Sequence, residues 1–202
     1  ANRTWNRGKR SIILDLEREE DLKVARDLVA SADVVLENFR PGALNRFGLD
    51  ADTLTAAHIR LIYCSMPGFA SDDPRAGTPA WEGVVEAATA VFRTPGAVEA
   101  DRPVYTAVPV ASCYAAIQGV VSIAMALVAR ERSGLGQRIE VPLFDAVFAP
   151  MGGRAMIVHQ PHSPQERGGG LWNGPFRCKD GRWIYFSATG NTNFREFIES
   201  AG

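Results

Sequence analysis

Short apolar runs alternate with helical patterns along the first third of the chain. Apolar runs bounded by polar residues predict buried strands over 11–16, 33–36 and 61–64. Apolar positions at helical spacing predict a helix over 19–30, and a shorter helix is predicted over 52–57. Strands and helices that alternate in this way indicate a parallel α/β sheet. Because ligands bind beyond the carboxyl ends of such strands, we expect a ligand at the turns 37–42 and 65–70.

The rest of the chain completes this large domain and then begins a second one. Further elements are predicted as a helix over 81–92, a long helix over 112–132, a strand over 138–142 and a helix over 143–156. Farther on, the turn signal Lys179–Arg182 separates two strand-like runs. We therefore predict a Rossmann-like parallel-sheet domain over 1–157, a linker over 158–166, and the start of a smaller α+β domain over 167–202.

Composition and charge exclude several kinds of partner. The net charge of −1 and the charged fraction of 22% provide no field that would attract nucleic acid or an anionic membrane surface. The longest apolar stretch, 117–128, is interrupted by Gln118, Gly119 and Ser122, which makes it too short and too mixed for a membrane span. We therefore expect a globular protein with neither a nucleic-acid nor a membrane partner.

The cysteines and histidines give no sign of a disulfide framework or a metal site. The three cysteines, an odd number, stand at wide spacing at positions 64, 113 and 178. His159 and His162 lie in a proline-rich stretch without neighbouring cysteine or carboxylate residues. We expect a reduced, cytoplasmic protein without a bound metal.

Four segments, spread over most of the chain, carry a combination of motifs that is specific by its order and spacing. They are NRGKRSIILDL at 6–16, ENFRPGALNRFGL at 37–49, ARERSGLGQ at 129–137 with the strand that follows it, and RGGG at 167–170 with KDG at 179–181. Together they resemble the class III coenzyme A-transferase family, the formyl-CoA transferase-like proteins. Such proteins begin about one βα unit earlier and continue past Gly202, so we expect this chain to be a fragment.

The resemblance implies a function and a set of partners. Such proteins bind acyl-CoA as a substrate, hold no permanently bound cofactor, and move CoA between small carboxylic acids. They form homodimers whose chains interlock like links. The racemase branch of the family uses a histidine and an aspartate, and this chain has no histidine in 77–83 and no aspartate at position 112, which disfavours racemisation.

The turn after the second predicted strand contains the residues expected to contact CoA. Asn38 favours a tight turn with free backbone N–H groups, and Arg40 offers a bidentate donor to phosphate. With the resemblance, we predict that Asn38, Phe39 and Arg40 contact CoA. The same pattern also describes an ordinary solvated turn.

A run of glycines is the second predicted ligand-binding segment. Gly168, Gly169 and Gly170 would let the backbone approach a ligand closely. The segment predicts either a lid over the thioester or a flexible interdomain linker.

The resemblance places a catalytic aspartate at the start of the long central helix. Its carboxylate attacks the acyl-CoA thioester, forms a mixed anhydride and then an aspartyl-CoA thioester, and an acceptor acid takes the CoA. Counting back from Gly134–Gln137 without gaps puts Ser112 at this position, and Asp101 and Glu131 are too far along the chain to substitute locally. A serine hydroxyl cannot form an anhydride with an acid, and it needs a base to attack a thioester.

Three interpretations of Ser112 stay open on sequence alone. As the N-cap of the helix, it would accept hydrogen bonds from the N–H groups of Tyr114 or Ala115. As an acyl carrier, Ser112 or Cys113 would react with the thioester, the cysteine being activated at a helix N-terminus. In the third interpretation the domain is inactive, or a competent counterpart lies elsewhere in a larger protein.

Glu82 is the second predicted catalytic residue. With Trp81 it stands where formyl-CoA transferase-like members place an aromatic–glutamate pair near the acyl group, which implies contact with the acyl group or the carboxylate intermediate. A first-turn glutamate favoured by the helix dipole is the other interpretation. We predict a CoA-transferase that moves CoA between carboxylic acids. The alternatives are a catalytically impaired CoA-binding domain or subunit, and an acyl-CoA lyase or hydrolase on the same scaffold.

Overall fold

The computed structural model describes residues 2–89, 108–151, 173–187 and 191–201. Two compact units make up the chain, one of residues 1–91 with 106–150 and the other of residues 92–105 with 151–202. The predicted domain boundary at 157 and the linker 158–166 lie outside the described residues.

The first unit alternates helices with short strands, as the sequence predicts. Its elements in chain order are α1 (Asn2–Trp5), α2 (Glu19–Ala30), β1 (Val34–Glu37), α3 (Ala51–Ala57), β2 (Ile62–Ser65), α4 (Glu82–Ala88), α5 (Val110–Ser133), β3 (Arg138–Glu140) and α6 (Leu143–Met151). A short 3-10 helix at Asn45–Phe47 precedes α3. The bounds of α2 are those predicted, and those of β1, α3 and β2 differ by at most one residue. Helix α4 is shorter than predicted and ends at Ala88.

Strand β2 is the centre of a three-stranded sheet with the order β1-β2-β3, and both of its pairings are parallel. Tyr63 of β2 belongs to a core cluster with Leu22 and Leu54 of helices α2 and α3. Its neighbour Cys64 belongs to a second cluster, which includes Ala115 of α5. Successive side chains of a strand point to opposite faces, so these two clusters cover both faces of the sheet. The predicted parallel α/β architecture is confirmed.

Residues 11–16, predicted to form a strand, have no regular secondary structure up to residue 15, enter a turn at Leu16, and pair with none of the described strands. Ile13 is 95% exposed and Ile12 is 59% exposed. The apolar run fits the pattern of a strand, but a strand also needs a neighbour that satisfies its backbone hydrogen bonds. The segment instead leads into α2, where the Asp15 N–H donates to the Asp21 carboxylate at 2.9 Å.

The central helix α5 begins at Val110, two residues before its predicted start. It ends as predicted, with Arg130 and Arg132 in the last turn and Gly134 in a left-handed conformation with φ of 73°. Small residues at helical spacing form most of its buried face: Ala111, Ala115, Gly119 and Ala126. These small side chains allow the helix to approach β2 closely.

By length and composition, α5 is the one helix among the described residues that could cross a bilayer. The predicted exclusion of a membrane span rests on the shorter stretch 117–128, and α5 extends beyond it at both ends. A core helix of a water-soluble protein passes the same test, and α5 packs one face on the sheet. Its other face carries exposed apolar side chains, which include Ile117, Val120, Met125 and Val128.

The described part of the second unit contains a hairpin and a helix. Strands β4 (Asn173–Arg177) and β5 (Trp183–Ser187) pair antiparallel, and α7 spans Asn191–Ala201. The turn between the strands is the predicted one, because Gly181 has a φ of 81° and left-handed backbone favours glycine. The Asp180 carboxylate accepts the Arg182 N–H at 3.0 Å and closes the turn.

The connection from α5 to β3 passes against the backbone that leads into β2. The Gly136 N–H donates to the Ile59 carbonyl at 2.7 Å, and a Cβ at position 136 would lie 1.9 Å from the carbonyl oxygen of Leu61. The obstructing atoms belong to the backbone, so no side-chain rotation can relieve the contact. Gly136 therefore sets how closely β3 approaches β2 at this end of the sheet.

Gly136→Ala is expected to destabilise the protein by about 1–3 kcal/mol, because the added methyl group forces two backbone segments apart. Urea unfolding at neutral pH, followed by circular dichroism, measures the change. Gly77→Ala is the matched control, since a Cβ at that position would meet nothing within 4 Å. Equal unfolding midpoints for the two variants would contradict this role of Gly136.

Candidate functional site

A cleft of ≈ 220 Å³ lies at the carboxyl ends of the parallel strands. Its lining includes Glu37 at the end of β1 and Ser65 at the end of β2. Of the predicted CoA contacts, Phe39 and Arg40 belong to this lining, whereas Asn38 is exposed in the same turn but does not line the cleft. The turn chosen from the sequence therefore does border a cleft at the expected edge of the sheet.

Two glutamates of the cleft are already bound to neighbouring protein donors. Glu37 accepts the Ser65 hydroxyl and, at 2.8 Å, the Phe39 N–H. Glu140 accepts both the N–H and the hydroxyl of Ser71, each at 2.7 Å. These hydrogen bonds hold the turns after β1 and β2 against the strand ends. The turns held in this way line the cleft.

The two arginines of the cleft differ in their partners. Arg138 forms an ion pair with Asp52 at 3.0 Å. Arg40 is exposed and forms no ion pair with any residue in the described ranges. An anion that enters the cleft would therefore meet Arg40 as a cation whose charge is not already matched.

Tyr63 lines the cleft as a neutral phenol. Its hydroxyl donates to the Leu49 carbonyl at 3.1 Å. Burial, with a smaller contribution from the Glu37 carboxylate, raises the pKa of Tyr63 well above its ordinary value. The group therefore fixes the fold around the cleft and is not a base at physiological pH.

Two carboxyl groups of α4 bind the first turn of α5. The first N–H groups of a helix have no acceptor within the helix. Here Glu82 accepts the N–H groups of Ala111 at 2.7 Å and Ser112 at 2.9 Å, and Glu86 accepts that of Val110 at 3.0 Å. The helix N-terminus is thus satisfied by side chains from another helix, in the position that its partial positive charge favours for carboxylates.

Ser112 is not the N-cap of α5, so that interpretation of the residue is wrong. The N-cap is Pro109, and Ser112 lies in the first turn. The Cys113 N–H bonds to the Pro109 carbonyl at 2.9 Å, which brings residues 110–112 into the helix. The Ser112 hydroxyl instead donates to Glu82 Oε2 at 2.5 Å. The structure therefore brings the two predicted catalytic residues into direct contact.

Glu82 is half-buried and its surroundings favour the ionised form. Burial raises the pKa of Glu82, but hydrogen bonds from the Ser112 hydroxyl and N–H, from Glu86 and from the Ala111 N–H outweigh it and lower the pKa below the ordinary value. Glu86 is completely buried. Glu86 was not among the predicted site residues, although its spacing of four residues from Glu82 puts both carboxyl groups on one face of α4.

The first turn of α5 lies beyond the carboxyl end of the sheet, as the cleft does, but α5 covers the face opposite to the one that carries Tyr63 of the cleft. At the other end of α5, Arg130 donates to the carbonyls of Asp33 at 3.4 Å and Arg60 at 3.1 Å, just before β1 and β2 begin. The 24-residue helix is about 36 Å long, far longer than the strands, so its first turn reaches beyond their carboxyl ends. Glu82 and Ser112 therefore lie beyond the carboxyl edge of the sheet, and neither of them lines the cleft.

The remaining predicted site residues have less defined roles. Cys113 is half-buried with a free thiol, and Trp81 is 64% exposed. Gly168, Gly169 and Gly170 lie outside the described residues. Within the described ranges, no group of three or more histidine, cysteine, aspartate or glutamate side chains could hold a metal ion.

Glu82→Gln is expected to destabilise the protein by about 1–2 kcal/mol at neutral pH, because it weakens the acceptor for the α5 N-terminus. The folded-state pKa of Glu82 is depressed, so its ionised form stabilises the fold above the ordinary value of 4.5, and this stabilisation is lost as the pH falls through the folded value. Below pH 4.5, the stability of the variant should therefore decline less steeply than that of the unaltered protein. Urea titrations over a series of pH values measure both effects.

Glu20→Gln is the control for this change. The Glu20 side chain is 84% exposed and, among the described residues, pairs with the exposed Arg18, so its replacement should leave stability nearly unchanged. If Glu82→Gln and Glu20→Gln have the same stability at every pH, the carboxylate of Glu82 does not hold the start of α5.

Comparisons with known proteins agree with one another. The profile of the family described as CoA-transferase family III matches residues 2–202. The chain is 36% identical over 164 residues to the CoA-transferase/lyase DddD of Marinomonas sp. strain MWYL1, an alignment that covers 79% of this chain and 20% of that protein. It is 28% identical over 208 residues to the succinyl-CoA–L-malate CoA-transferase beta subunit of Chloroflexus aurantiacus, covering 98% of this chain and 51% of the subunit.

A solved structure has the same fold. The CAIB/BAIF family protein from Brucella suis aligns with a TM-score of 0.74 and 30% identity, and the alignment covers 95% of this chain and 52% of that protein. The chain thus spans about half the length, or less, of the proteins to which it is similar.

Proposed function

The chain belongs to CoA-transferase family III, and from that membership we propose that the protein binds an acyl-CoA and moves its CoA to a second carboxylic acid. The observation that carries this proposal is the family match, which extends over residues 2–202. The relatives named above are, by their names, CoA-transferases or a CoA-transferase/lyase. CoA would take part as a substrate that arrives and leaves with each turnover.

The cleft supports binding of the phosphate-bearing part of CoA. It lies at the carboxyl edge of a parallel sheet, where such ligands bind in α/β proteins. Arg40 supplies a planar pair of donors suited to a phosphate group and is not engaged in an ion pair within the described ranges. Phe39 adds an apolar surface that is 55% exposed at the same turn.

A second candidate function is CoA binding without transfer, as a subunit of a larger enzyme. The observation that favours it is Ser112, which stands where the resemblance places an aspartate and whose hydroxyl is bound to Glu82 at 2.5 Å. One of the relatives is itself a subunit by name. In this case the partner subunit would supply the reacting carboxylate.

We also propose a homodimer. The outer face of α5 supports it, since Ile117, Val120 and Met125 are 60%, 69% and 68% exposed along one helix. Contiguous apolar area of this kind is usually covered by protein. A second copy of the chain would cover it without requiring a different partner.

Mixing the purified protein with succinyl-CoA and acetate is expected to produce acetyl-CoA at the expense of succinyl-CoA, as followed by liquid chromatography of the thioesters. Repeating the assay without acetate distinguishes the alternatives, because a hydrolase releases free CoA whether or not an acceptor acid is present. A panel of small dicarboxylic and monocarboxylic acceptors covers other specificities. If no acceptor forms a new thioester while CoA binds in calorimetry, CoA transfer is excluded and the binding subunit is favoured.

Arg40→Ala is expected to weaken CoA binding by about 10- to 100-fold, because a hydrogen bond between charged groups contributes about 1.5–3 kcal/mol. Isothermal titration with CoA measures the dissociation constant. As a control, Arg132→Ala removes an exposed arginine from the last turn of α5 and should leave the affinity for CoA unchanged. Equal dissociation constants for Arg40→Ala and the unaltered protein would place the phosphates elsewhere.

A further inference from the structure

Passing CoA from one acid to another needs an intermediate that keeps the energy of the thioester. A serine ester is too stable to serve as this intermediate. Converting it back into a thioester of CoA is energetically unfavourable and would need another source of free energy. A carboxylate can do it, since an acid anhydride and an enzyme-bound thioester are both at least as reactive as the acyl-CoA. The chemistry therefore requires a carboxylate at the reacting position, and residue 112 is a serine.

Two carboxyl groups lie at the first turn of α5, and they differ in accessibility. Glu86 is completely buried, so a substrate cannot reach it. Glu82 is half-buried, and its Oε2 lies 2.5 Å from the hydroxyl of Ser112, which is exposed, so a substrate at residue 112 can reach it. The carboxylate that is missing from position 112 is thus replaced in space by one that α4 supplies.

We propose that Glu82 is the nucleophile of the reaction, and that its carboxylate carries CoA between the two acids. The assignment rests on the proposed CoA-transferase function. It gives Ser112 a supporting part, because its small side chain leaves room for the glutamate and its hydroxyl holds the carboxylate at the helix start. Glu86 accepts a hydrogen bond from the Val110 N–H at 3.0 Å and thereby helps to hold the same helical turn in place.

The hydrogen bonds around Glu82 suit both the resting state and the reaction. Its depressed pKa keeps the group ionised at neutral pH, which is the form that attacks. The Ser112 hydroxyl can rotate from Oε2 to a new acceptor, whereas the backbone N–H groups of Ala111 and Ser112 stay fixed. As the negative charge moves from the carboxylate to the thioester oxygen, these donors are in place to stabilise it.

The steps balance without an oxidant or a further reactant. A Glu82 oxygen bonds to the thioester carbonyl carbon and the C–S bond breaks. CoA departs as its thiolate, and a mixed anhydride between Glu82 and the first acid is formed. The thiolate then attacks Glu82 Cδ, so the first acid departs as its carboxylate and a glutamyl-CoA thioester remains. The acceptor carboxylate attacks Cδ and displaces the thiolate, which finally attacks the acceptor carbonyl. This last step releases the new acyl-CoA and restores the Glu82 carboxylate.

Chemical trapping of the purified protein with succinyl-CoA tests the assignment. Borohydride reduces a glutamyl thioester to a primary alcohol and hydroxylamine converts it to a hydroxamate, and peptide mass spectrometry locates either product. We expect both modifications on Glu82, dependent on succinyl-CoA, with the same yield in the control Glu20→Gln and none in Glu82→Gln. An adduct on Ser112 or Cys113 instead would overturn the proposal in favour of an acyl carrier.

Isotope transfer provides a test that needs no variant, in case Glu82→Gln does not fold. An acceptor acid labelled with ¹⁸O leaves one labelled oxygen on the attacking carboxylate after each turnover. We expect the label in the peptide that contains Glu82. Thioester exchange without label or adduct on Glu82 overturns this inference and leaves the CoA-transferase function standing. Absence of both exchange and adduct overturns the CoA-transferase function as well.

Discussion

Three backbone N–H groups at the start of α5 need acceptors, and a proline N-cap cannot provide a side-chain acceptor. Glu82 and Glu86 satisfy them from α4, at distances between 2.7 and 3.0 Å. This contact joins α4 to the start of the central helix and holds a carboxylate against residue 112.

The same contact explains why a serine is compatible with position 112. An aspartate there would bring a second negative charge within a few ångströms of Glu82, and two ionised carboxylates at such a distance raise each other's pKa. The serine hydroxyl avoids that repulsion and donates a hydrogen bond to Glu82 instead. The residues at 82 and 112 are therefore electrostatically consistent as a pair.

The periodicity of the chain was enough to predict α2, the three parallel strands of the first unit and the hairpin turn at Gly181, since each has a local pattern. The prediction failed where a neighbouring strand or helix determines the structure of a segment. Residues 11–16 have the composition of a strand but lack a neighbouring strand among the described residues. At the site, the sequence predicted Phe39 and Arg40, which border the cleft, and Glu82 and Ser112, which lie in contact. Glu86 and the true helix start at Val110 were not, because both follow from a hydrogen bond between helices far apart in sequence.

At its far end, α5 is held by the guanidinium group of Arg130 and by the exposed Arg60–Glu131 ion pair. Arg130 is almost completely buried, and its two terminal nitrogens bind the carbonyls of Asp33 and Arg60 and the Asp33 carboxylate. Asp33 immediately precedes β1 and Arg60 lies two residues before the start of β2, so one rigid planar group links the beginnings of two neighbouring strands. A lysine would keep the charge but could not span both sites, because its donors radiate from one point. Arg130 thus helps to set the register between β1 and β2, in addition to forming an ion pair with Asp33.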